Sequence, residues 1–170
     1  MKELLSYDRT KTTDKTNANC SALPLLSWEF YGSHLMDNHQ FGQESAKLQK
    51  ITKRWNTDYG LRKKLVFEQN VVIITDVQLR IVYTSANIEK LNGYTPDEVV
   101  GNTPKLFQGA DTCPRTSSRI RAAIDKAKPF EEKILNYKKN AEPYYCVIKG
   151  YPVFDKKGSL INYIAFETAA

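Results

Sequence analysis

The sequence predicts an α+β fold, a five-stranded antiparallel sheet with short helices gathered on one face, and three observations carry that expectation. Two β-branched runs, VVIIT and IVYTS, follow one another closely from Val71. Several short helix-like segments come next, and three further strand-like runs close the chain. Two strands, several short helices, then three strands specify a five-stranded antiparallel sheet with helices on one face.

The chain has 170 residues, enough to bury one good core and leave an extension. Residues 1–25 are rich in Thr, Asn, Lys and Asp and are expected to form a flexible tail. Residues 26–70 read as an N-terminal helical extension, in which Leu48, Ile51 and Trp55 share one helix face and Leu61 and Leu65 continue the stripe after Gly60. The main domain is expected over 71–168. Its first hairpin turns at Asp76–Gln78. A helix starts at Thr95, which is followed by Pro96 at the first helical position and Glu98 at capping-box spacing, and Gly101 ends it. Residues 115–128 read as a helix stopped by Pro129. Strands follow over PFEEKILNYKK, EPYYCVIKGYPVF and SLINYIAFET, separated by Asn140–Ala141 and by DKKG.

Alternation assigns the strand faces. With Lys149 toward water, Tyr144, Cys146, Ile148 and Gly150 point the other way. In the last strand Leu160, Ile164 and Phe166 form one apolar face, and Ile161, Tyr163, Ala165 and Glu167 the other. Both sheet faces therefore need cover. Short helices cover one, and the Leu160/Ile164/Phe166 face is expected to pack either on the N-terminal extension or on a second copy in a homodimer.

Composition excludes several function classes. Hydrophobic residues make up 41% and charged residues 26%, and no apolar run reaches the ~18 residues of a membrane span. The start, MKELLSYDRTKTTDKTN, lacks the apolar core of a secretion signal, so a cytoplasmic location is expected. Net charge is +6, and the basic clusters at 50–54 and 62–64 read as solvated helix faces rather than a nucleic-acid site. Cys20, Cys113 and Cys146 are odd in number and far apart, the pattern of free thiols. No nucleophile, Walker or metal-ligand motif is present, and His34 and His39 are five residues apart, off a common helix face, so no enzyme is expected.

Three segments, LNGYTPDEVVGNTPKLFQGADT at 91–112, ILNYKKNAEPYYCVIKGYPVFDKKG at 134–158 and the terminal YIAFET, resemble the PAS domain family and within it the light-sensing flavin (LOV) subfamily. The resemblance covers 71–167 and implies a PAS fold with a ligand cavity, acting as a sensory module. In that subfamily Gly101–Gln108 matches the octapeptide whose fourth residue is the photoactive cysteine, and here that position is Pro104. Without a thiol there, cysteinyl-flavin photochemistry is not expected. By the same resemblance Gln108 and Asn136 correspond to ring-contacting residues, and Lys105 and Arg121 to the basic pair that holds a flavin phosphate. Read as residues alone, Gln108 equally ends the LFQ segment, Asn136 pairs within the sheet, and Lys105 and Arg121 are surface charges. Cys146, Ile148 and Glu167 replace an asparagine, an aromatic residue and a glutamine of the family pattern, all against flavin. The expectation is therefore a homodimeric sensory or interaction module with no bound cofactor, FMN being the alternative. Because no output domain follows, its signal is expected to leave through the N-terminal segment or an unidentified signalling partner.

Overall fold

A computed structural model describes residue 42 and residues 44–170. The tail expected over 1–25 and the first part of the extension, with Cys20, His34 and His39, lie outside the described residues. Helix α1 covers 44–52, and a π-helical turn, Lys63–Phe67, precedes the sheet. Then come β1 (Val71–Thr75), β2 (Ile81–Thr84), α2 (Ile88–Asn92), α3 (Pro96–Val99), a 3₁₀ turn (Pro104–Phe107), α4 (Pro114–Asp125), β3 (Phe130–Tyr137), β4 (Pro143–Phe154) and β5 (Leu160–Ala169).

The sheet order is β2-β1-β5-β4-β3, and every neighbouring pair is antiparallel. This is the five-stranded sheet with short helices that the sequence predicts. All five residues of β1 are buried, which explains why this antiparallel strand reads as an unbroken apolar run: both of its faces are covered. The first hairpin turn is wider than Asp76–Gln78. Asp76 Oδ1 accepts from the backbone N–H of Gln78 and of Arg80 (2.9 and 2.8 Å), and Leu79 takes a positive φ. Asp155 performs the same service before β5, accepting from Lys157 and Ser159.

Thr95 and Glu98 form the expected capping box, with the Thr95 N–H donating to the Glu98 carboxylate at 3.0 Å. Lys139 Nζ reaches the same carboxylate, and these donors hold the Glu98 carboxyl down at about 2. The helix so capped has only four residues, since Gly101 at φ +89° turns the chain onto the edge of β2. Thr95→Ala is expected to lower stability by about 1 kcal/mol, read as a fall in the urea midpoint at unchanged slope.

Two apolar clusters sit on opposite faces of the sheet. On the inner face Val71, Ile73 and Ile81 meet Ile88, Val99 and Phe107 from the short helices. On the outer face Val72, Ile74, Ile164 and Phe166 meet Leu48 and Trp55 of the N-terminal extension, with Ile51, Tyr59, Leu61 and Leu65 packed around them. The chain's own extension thus covers the Ile164/Phe166 face, and Ile164 is 0% exposed. Leu160, at the start of β5, is half-buried. One helical stripe does not run through to Trp55. Helix α1 stops at 52, and Trp55 leaves helical geometry to bridge to Asp155 and donate its Nε1–H to Asn162 Oδ1 at 3.1 Å.

Candidate functional site

The inner face of the sheet is not filled completely. A cavity of about 100 Å³ lies between it and the helical layer. Its waist is apolar, with Ile73, Ile148 and Ala165 from the sheet and Ile120 and Ile124 from α4. Gly150 on β4 lies opposite Phe130 on β3, and a Cβ at Gly150 would stand 2.3 Å from the Phe130 ring. The Phe130 ring therefore occupies the volume that a side chain at 150 would take.

The cavity is polar at its ends. At one end is Glu167, on β5 opposite Val71 and Ile148 and 3% exposed. Cys146 lies beside it and donates its Sγ–H to Glu167 Oε2 at 3.7 Å, a weak contact. Burial pushes the Glu167 carboxyl up to about 7 and raises the Cys146 thiol as well. Asn136 is buried in the same wall. Beside it the Tyr144 hydroxyl, flanked by the Asn92 and Asn136 amides, is raised by burial and has no partner at hydrogen-bonding geometry. At the other end the buried Thr75 Oγ1 also lacks a partner. Val71 pairs with Glu167 and Thr75 with Tyr163, so the two ends are four residues apart along β1, about 13 Å.

Glu167 has a second exposure. It also lines an outer groove of about 250 Å³, together with Glu44 of α1, Gln69, and Asn87 and Lys90 at α2. The Glu44 carboxylate there is already committed, accepting from the Tyr83 hydroxyl and the Ala86 N–H.

Five of the eight residues assigned to the pocket from the sequence meet at the cavity: Pro104, Gln108, Asn136, Ile148 and Glu167. Cys146 touches it only through Glu167. Lys105 and Arg121 are exposed and outside the lining, and Arg121 pairs with Asp125 at 2.9 Å. Cys113, at the head of α4, is exposed and remote from the cavity. Sequence reasoning missed Thr75 and Phe130. Strand parity places Thr75 with Val71 and Ile73, a usable signal; the Phe130–Gly150 exchange is visible only once the register is known. Among the described residues no group of three His, Cys, Asp or Glu could hold a metal ion, and no helix is long and apolar enough to cross a membrane.

A PAS domain family model matches residues 69–168, more than half of the chain. The chain belongs to the PAS domain family. Similar proteins include a phototropin and a LOV protein. Phototropin-1B of Oryza sativa subsp. japonica is 31% identical over 134 residues, 77% of this chain and 14% of the rice protein. Protein TWIN LOV 1 of Arabidopsis thaliana is 35% identical over 88 residues, 51% of this chain and 22% of that protein. The chain thus spans less than a quarter of the length of either. Among solved structures, the dark structure of the blue-light photoreceptor Aureochrome1 LOV superimposes with a TM-score of 0.61 at 31% identity, covering 68% of this chain and 86% of that one.

The similarity to LOV proteins raises FMN as the group to test against this PAS cavity, and the residues present do not fit it. About 100 Å³ is of the order of the ~150 Å³ cavity that takes a single small ring in a dry apolar interior, and a flavin brings three fused rings. The Phe130 ring and an acid that burial keeps protonated stand in the same walls.

Proposed function

We propose that this chain is a LOV-descended PAS module that senses or binds through its cavity and through self-association, without cysteinyl-flavin photochemistry. One observation carries the reading: the cavity is lined by Pro104 and by no thiol. Adduct chemistry requires a nucleophilic sulfur against the ring. Cys146 is turned to Glu167 and held as a thiol by burial, and Cys113 lies elsewhere.

Self-association is assigned to the half of the outer sheet face, over β3 and β4, that the described residues of the extension do not cover. There Tyr145 is 52% exposed beneath the Lys133 ammonium, which lies 4.6 Å from its ring centre. The purified chain is expected to scatter light as a dimer, and Tyr145→Glu as a monomer. Its visible absorbance is expected to show no flavin, and blue light to leave the spectrum unchanged. A wild-type monomer at all concentrations overturns the assembly, and a reversible light-induced bleaching overturns the chemistry. The alternative, an FMN-binding redox or light sensor, is supported by the LOV relatives and predicts a yellow protein.

A further inference from the structure

We infer that the cavity takes a neutral molecule of at most one ring that carries a carbonyl or comparable hydrogen-bond acceptor, with the protonated Glu167 carboxyl as the donor that recognises it. This rests on the reading of the chain as a cavity-bearing PAS module and names the ligand class of that site.

Size comes first. The cavity is about 100 Å³, and its apolar waist excludes water unless polar groups hold it there. Charge comes second. No Lys, Arg, His or Asp lines the cavity, and Glu167 is the sole acid in it. An anion would meet that carboxyl with no cation to offset its lost hydration, and a cation would pair with Glu167 only after paying to ionise it. Hydrogen bonding comes third. Glu167 is 3% exposed, and Cys146 donates to its Oε2, so the thiol supplies no acceptor for the acid proton at that contact. A ligand carbonyl in the cavity supplies an acceptor for that proton, in surroundings where its hydrogen bond is worth more than in water. Thr75 Oγ1, buried and unpartnered at the opposite end, can bond to a second polar group on a slender ligand.

Recognition of this kind depends on pH. The groups that face Glu167 are Cys146 and Tyr144 on β4, Asn136 on β3, and Glu44 and Lys90 across the outer groove. Burial dominates among them and holds the carboxyl protonated up to about pH 7. Above that pH the donor is lost and a charge takes its place, so an acceptor ligand is released.

The test is a titration of the full chain with cyclopentanone, followed by amide shifts in ¹⁵N-correlated NMR spectra. Cyclopentane, cyclopentanecarboxylate and FMN serve as comparisons. Expected are saturable shifts at Ile148, Ala165 and Glu167 with cyclopentanone at pH 6, and an affinity about tenfold lower at pH 8. Glu167→Gln keeps an N–H donor and loses the titration, so its affinity should be equal at both pH values. Stronger binding of the carboxylate overturns the inference, as does FMN uptake by the wild type. So does a folded protein whose spectrum cyclopentanone leaves untouched at pH 6, or one whose affinity ignores pH. A failure of the wider reading is seen separately, in the light-scattering mass and the response to blue light.

Discussion

Glu167→Gln is expected to make the protein more stable relative to wild type as pH rises, with the gap opening between about pH 4.5 and 7. The Glu167 carboxyl titrates at 4.5 in its ordinary state and at about 7 when folded, raised by burial. Between those values the folded chain holds a proton that the unfolded chain has released. Folding then takes up a proton, and stability falls as pH rises, by about 1.4 kcal/mol per unit. Over the whole window the wild type loses about 3 kcal/mol, and above pH 7 the loss levels off. The amide variant has no such slope from this site. Urea midpoints at pH 5, 6, 7 and 8 for both proteins give the comparison, and parallel curves would show that the Glu167 carboxyl titrates normally.

Trp55→Ala carries the other large effect. Trp55 closes the outer core over Val153, Ile164 and Phe166, stacks edge-on against Tyr59 with ring centres 5.7 Å apart, and donates to Asn162. Removing it costs about 3–5 kcal/mol and leaves the Asn162 amide without that donor. The extension should loosen before the sheet does. Hydrogen exchange should therefore quicken in 44–67 while β3 and β4 keep their protection, and the uncovered Ile164/Phe166 face should increase self-association. That result would be opposite in sign to Tyr145→Glu, which separates the two halves of the outer face.

Much of the fold was legible because its signals are local. The β-branched runs, the Thr95–Glu98 cap and the turn residues Asp76, Asn140 and Asp155 each fix a piece of backbone within a few residues. The outer face was legible only as a pair of alternatives, since an apolar strip at Leu160, Ile164 and Phe166 does not say which apolar partner will cover it. The extension does so for Ile164 and Phe166, through contacts about a hundred residues apart in sequence such as Trp55 with Asp155. The cavity divides in the same way. Strand parity brought Ile148 and Glu167 inward, whereas Asn136, Lys105 and Arg121 rested on the family pattern, and of these three only Asn136 lines the cavity. Thr75 was within reach of the same parity from Val71 and Ile73, whereas Phe130 belongs to the site through register and packing, which no window of sequence contains.

The strand order has a consequence for how the chain is made. β1, the first strand synthesised, lies between β2 and β5, and β5 is the last strand of the sheet. While the ribosome works through the helices, β3 and β4, the VVIIT run has only β2 beside it, and Leu48 and Trp55 have no complete face to dock on. An apolar β-branched strand with an open edge is a segment that nascent chains must keep from pairing with one another. The sheet therefore closes late and all at once, when β5 slides between β1 and β4. A chain stalled before Leu160 should be captured by chaperones or aggregate, while one released after Ala169 should fold from two preformed halves.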